Sequence, residues 1–222
     1  MNPEILDRLA ALEQQVREFL PAALERRSNP FEPSYWIMAK VKAKAEIDRD
    51  RANMSVIEMA EIRIIGEVDD AMALNVHDQL DAARLSPAIN VLIDTQGGDF
   101  AAAMRIYRAI RWHPGLRRAT LGKRCMSAGV LISMACDHRV ASGDTEYLMH
   151  LTADNPDPKD RWTLLRHLEA MRVLRKRDSE YLNTIADRSC ADLADLAIEA
   201  TKDECQSLEW CLAHGLIHEV AK

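Results

Sequence analysis

The stretch AINVLIDT, Ala88 to Thr95, runs straight into Gln96-Gly97-Gly98 and then into a helical pattern, and this succession restricts the fold more than any other feature of the chain. A short, nearly continuous apolar run closed by a turn reads as a strand buried on both faces of a parallel sheet. The helix after it is expected from about Ala101 to Trp112, with His113-Pro114-Gly115 as its stop. A strand that feeds a helix and returns parallel to itself requires a right-handed crossover. The chain is therefore expected to be α/β, with a mostly parallel sheet.

The same alternation continues on both sides. AEIRIIGEV, Ala60 to Val68, reads as a strand, and residues 71–85 as a helix with Leu74, Leu80 and Leu85 on its apolar side. Downstream come a strand at Arg118 to Gly122, a helix from Ser127 to Ala135, and short strands at His138 to Ala141 and Tyr147 to His150. The loop TADNPDPKD then leads to a long amphipathic helix from about Arg161 to Ala186, two short helices and a last strand, GLIHEV. Upstream, YWIMAKVKAKAEI alternates as a strand from Trp36 to Ile47. Near the start, Ile5, Leu9, Leu12, Val16, Phe19 and Ala23 alternate at spacings of four and three, a heptad seam. The break SNPFEPS separates that segment from the rest. The expected organisation is an amphipathic helix within residues 1–30, packed on its own domain or docked on another chain, and one α/β domain over residues 35–222.

Bulk properties narrow the function. A formal net charge of −6 over 222 residues argues against a dedicated nucleic-acid binder. No apolar run approaches the roughly 20 residues that span a bilayer, and the N-terminus does not read as a secretory signal. Five cysteines make an odd count with no C-x-x-C pair, which fits reduced thiols in the cytoplasm better than disulfides or a zinc site. No metal-ligand spacing or nucleotide loop is found, so no metal or cofactor is expected. The basic run RVLRKRD, Arg172 to Asp178, reads as a solvated helix face.

The chemistry is expected at two turns. Gln96-Gly97-Gly98 and Met126-Ser127-Ala128-Gly129 each end a strand, and ligands of open α/β sheets bind along that edge. Paired glycines let backbone N–H groups face a ligand. A helix starting at Ser127 turns its positive end the same way. The N–H groups of Gly98 and Ala128 are thus candidate oxyanion donors. Ser127 itself is either a nucleophile or a helix N-cap, Cys125 either a reactive thiol or a small buried residue, and His150 either a base or a core histidine. The elbow G-x-S-x-G is absent here.

The segments INVLIDTQGGDFAAAMRIYRAI, GKRCMSAGVLISMACDHRVA, YLMH and DECQSLEWCLAHGLIHEV, in this order and spacing, resemble the Clp-type serine peptidases. YWIMAKVKAKAEI and IYRAIRWHPG lean toward the phage prohead, or head-maturation, branch. The resemblance spans roughly residues 35–220 and implies the Clp/crotonase-like fold of repeated β-β-α units. It also implies a triad with Ser127 as nucleophile, His150 as general base and Asp203 as the acid that orients it. The partners it implies are a polypeptide substrate, further copies of the chain, and either an AAA+ unfoldase or phage capsid and scaffold proteins.

Some residues depart from the family. Gly122 precedes Ser127 by one residue more than usual, so the backbone between Arg124 and Met126 is expected to absorb it. Leu-Thr follows His150 in place of the frequent Gln-Pro. TADNPDPKDRW stands where Clp subunits carry a glycine-rich stretch that helps join rings. Two rival readings stay open. GVLISMACDHRVASGDTEY also resembles the crotonases, which stabilise thioester enolates with two backbone N–H groups. Alternatively, the fold serves as a non-catalytic assembly protein.

Overall fold

The computed structural model describes residues 59–153, 159 and 163–221. The N-terminal heptad and the strand expected over Trp36 to Ile47 lie outside the described residues, as does Trp162, which with Trp112 and the heptad is an expected contact between copies of the chain. The first strand, β1 (Ala60–Ile65), leads to α1 (Asp70–Ala82), β2 (Ala88–Thr95), α2 (Phe100–Trp112), β3 (Leu116–Met126) and the short α3 (Ala128–Ser133). Then follow β4 (His138–Ser142), β5 (Glu146–Leu148), the long α4 (Leu164–Arg188), α5 (Leu193–Ala200), α6 (Leu208–Ala213) and β6 (Glu219–Ala221). The strands form one sheet in the order β1-β2-β3-β4-β6, all pairs parallel, with β5 added beside β3. The expected α/β class with a mostly parallel sheet is the observed one.

The sheet forks at β3, and the fork brings the site together. Arg118–Leu121 pair with β4, whereas Arg124–Met126 pair with β5. Between the two halves the register against β2 slips, from Ile93 opposite Leu121 to Thr95 opposite Cys125. Two steps along β2 thus match four along β3, which is a bulge. The irregularity lies over residues 122–124, whereas Arg124–Met126, the stretch expected to be irregular, pairs regularly with β5. Gly122 faces Asp94 there, where an added Cβ would come within 3.0 Å of the Asp94 Cβ, and Arg124 Nε bonds Asp94 Oδ1 at 3.2 Å across the bulge.

Two sequence expectations are corrected by burial. The strand β2 alternates: Ile89, Val91, Ile93 and Thr95 are fully buried, but Asn90, Leu92 and Asp94 are only half-buried. Only the first face lies in the continuous core with Ile62, Ile64, Ala119 and Leu121. The second carries polar pairs such as Thr120 with Asn90 at 2.8 Å, and these groups remain partly solvated. In α1 the buried stripe is Val76 and Leu80, continued by Ala83, at helical spacing. Leu74 is 68% exposed because it lies about 200° round the helix from Val76. Leu85 falls past the helix end and is also exposed.

The connection from β4 to the chain end is held by one buried cation. Arg139 donates to the carbonyls of Leu216 (2.6 Å), Cys136 (2.8 Å), Gly215 (2.9 Å) and Arg188 (3.0 Å). Burial lowers its guanidinium to about 10, so it stays charged near neutral pH. Among the described residues, no helix is long and apolar enough to cross a membrane and no His/Cys/Asp/Glu cluster could hold a metal ion.

Candidate active site

Ser127 links the end of β3 to α3 in a single residue. Its backbone has φ 52° and ψ −113°, a region that costs a residue with a Cβ about 1–3 kcal/mol. Hydrogen bonds between its backbone and three elements hold it there. Its N–H donates to Leu148 O at 2.7 Å, and its carbonyl accepts from Val130 N–H at 3.0 Å and from the Tyr181 hydroxyl at 3.2 Å. Strand, helix and α4 all grip the same residue. Ser127 takes the N-cap position of α3, yet its side chain makes no capping hydrogen bond. The hydroxyl is half-buried at the tip of the turn and is not committed to the helix.

The glycine turn after β2 lies directly against it. A Cβ on Gly97 would come 2.7 Å from the Ser127 Cβ and 3.2 Å from Ala128 N, and Gly97 has φ 105°. Only glycine lets the two turns approach this closely. Gly98 bridges Val68 through its neighbours: Val68 N–H donates to Gly97 O at 2.9 Å, and Asp99 N–H donates to Val68 O at 2.7 Å. In such a ladder the intervening residue's own N–H faces the other way, and Gly98 is exposed. Ala128 is the first residue of α3, whose N–H has no intrahelical acceptor.

Thr95, fully buried, couples the two turns. Its Oγ1 accepts Gly97 N–H at 2.9 Å, and its Cγ2 fills the space where a Cβ on Gly129 would lie, 2.6 Å away. The sequence offered no signal for this role, since a threonine ending a strand is ordinary β chemistry.

His150 follows β5 by two residues, and β5 pairs with the top of β3, where Leu148 O accepts the Ser127 N–H. The expected strand to His150 stops at Leu148 instead. The ring is partly buried, and its Nδ1 lies 3.8 Å from Asp203 Oδ1. Asp203 has φ 53° on a loop after α5, and its side chain is 79% exposed. The N-cap of the following helix, α6, is Ser207, whose side chain accepts from Trp210 N–H. The His150 segment is anchored beyond the ring as well: Thr152 gives its N–H and hydroxyl to Asp178 Oδ1 of α4, at 2.7 and 2.6 Å.

Cys125, next door, is fully buried, and burial drives its thiol far above the ordinary range. Its small, buried reading holds and its reactive one does not. All five cysteines are free thiols.

Residues 44–222 match the family model described as Clp protease. The chain belongs to the Clp protease family. Among relatives of that family, the ATP-dependent Clp protease proteolytic subunit of Leuconostoc citreum (strain KM20) is 27% identical over 162 residues, covering 70% of this chain and 80% of the relative. A point mutant of ClpP1 from Listeria monocytogenes superposes with a TM-score of 0.64 at 21% identity, over 77% of this chain and 96% of that one. That likeness establishes the Clp protease fold for the sheet and helices described above.

Proposed function

We propose that the chain is a serine endopeptidase that cuts polypeptides through an acyl-enzyme. Ser127 Oγ attacks the scissile carbonyl while His150 takes its proton, and the developing oxyanion accepts the N–H groups of Gly98 and Ala128. His150 returns the proton to the departing amine. Water then adds to the ester by the same route in reverse roles, releasing the acid and restoring the serine. With Nδ1 turned to Asp203, the other ring nitrogen is the one offered to the serine. Asp203 fixes that tautomer and stabilises the imidazolium. Closing the 3.8 Å separation to a hydrogen bond of ~2.8 Å asks about 1 Å of an exposed loop, as is common before substrate arrives.

The observation that carries this reading is the strained, uncapped Ser127 gripped at the fork of the sheet beside a glycine pair. A serine needed only as a cap would adopt the unstrained extended conformation and bond the helix. Membership of the Clp protease family supports it independently. The prohead-like phrases YWIMAKVKAKAEI and IYRAIRWHPG favour capsid or scaffold polypeptides as substrates, cut without ATP. A homo-oligomer is supported by the apolar side chains left exposed on the first half of α4, including Leu164, Leu165 and Leu168, and by Trp112, 86% exposed at the end of α2.

The test is hydrolysis of an unfolded polypeptide without nucleotide. Ser127→Ala and His150→Ala should each lower kcat at least about 10³-fold, and Asp203→Asn by a comparable or smaller factor. Turnover that survives both of the first two variants would remove the triad from the mechanism.

A further inference from the structure

Gln206 is a buried polar side chain at the foot of the Asp203 loop, which is exposed from Thr201 to Cys205. Its carboxamide is spent on the backbone next to His150. Oε1 accepts Met149 N–H at 2.6 Å, and Nε2 donates to Met149 O at 3.2 Å and to Glu204 O at 2.7 Å. Its own N–H donates to Tyr147 O at 2.9 Å, which makes an isolated antiparallel bridge to β5. One side chain thus ties the residue before His150 to the residue after Asp203.

We propose that Gln206 is a positioning residue that sets His150 and Asp203 in register with each other. This rests on the triad reading given above. Asp203 is solvated and sits in a left-handed backbone conformation, so its own contacts hold it weakly. Where it stands depends on the ends of its loop, and Gln206 is the end that touches the histidine's segment. An apolar residue would close the core equally well, but only a carboxamide donates and accepts at the N–H and C=O of one residue while also holding the next loop. Gln206 touches no reacting atom and acts entirely through the pair it spaces.

The test is the labelling rate of Ser127 by a fluorophosphonate, normalised to the folded fraction, in wild type, Gln206→Met and Gln206→Glu. Each variant is also made in the Asp203→Ala background. Gln206→Met keeps the side chain's length and removes its hydrogen bonds; Gln206→Glu keeps the acceptor toward Met149 and loses the donor. The maximal labelling rate should fall about 10- to 100-fold in Gln206→Met and less in Gln206→Glu, with little change in the probe concentration giving half that rate. In the Asp203→Ala background the effect of Gln206→Met should shrink to under about 2-fold, because the spaced pair is already broken. A purely structural role would leave the two losses additive and overturn the proposal, as would an unchanged rate. Unfolding of both variants would assign Gln206 to stability and overturn it too. No labelling of wild type would remove the triad reading itself, and this proposal with it.

Discussion

At Ser127 stability and the proposed chemistry pull in opposite directions. The residue accepts a backbone conformation that glycine adopts freely, and the hydrogen bonds to Leu148, Val130 and Tyr181 hold it there. Ser127→Gly should therefore leave the fold intact and raise its stability by about 1 kcal/mol, or roughly 2–4 °C in Tm, while abolishing turnover. Thermal melts of the two proteins check this, and a less stable glycine variant would show that the strain is not real. Ser127 and the paired glycines were legible in the sequence because serine and glycine carry chemical meaning one residue at a time. Gln206 and Thr95 were not, because their roles depend on which backbone groups the fold brings to them. A glutamine before a helix reads as surface until burial and three hydrogen bonds are seen.

Among the elements, β3 does the most. It is long enough to serve two neighbours, pairing with β4 along its first half and with β5 beyond the bulge, which sets Leu148, two residues before His150, against the Ser127 N–H. Period and turn signals located β2, β4, α2 and α4 closely, since apolar spacing and Gly/Pro stops are local, but the strand expected over Arg118 to Gly122 runs Leu116–Met126 and the one expected over GLIHEV is Glu219–Ala221. The fork was not legible, because register against a neighbour is a long-range property. The apolar side of α1 was misread for a related reason: Leu74 is apolar, but spacing to Val76 and Leu80 decides which side is buried. Arg139 fastens β4 to the turn before β6. Arg139→Met should destabilise the protein by about 3–5 kcal/mol, as four carbonyls lose a buried donor. Urea unfolding measures the loss, and a shift under about 1 kcal/mol would contradict the role.

At the largest scale, the described residues form one sheet with the Clp protease fold, and the candidate chemistry gathers where β2, β3 and β5 end together. Large apolar side chains are exposed on the first half of α4 and at Trp112, and also singly at Ile65, Leu74, Leu85, Ile198 and Leu212. The sequence resemblance conveyed the family, whereas the bulge over residues 122–124 and the Thr152–Asp178 anchor are long-range features that no local motif announces. The central claim is an activated serine at the fork. Its most direct test is intact-mass analysis after fluorophosphonate treatment, followed by peptide mapping, on wild type and Ser127→Ala. The account predicts one adduct per chain, mapped to Ser127 and absent from the variant. A folded wild type that takes no adduct, or takes it elsewhere, would contradict the account and leave an assembly protein built on a protease fold.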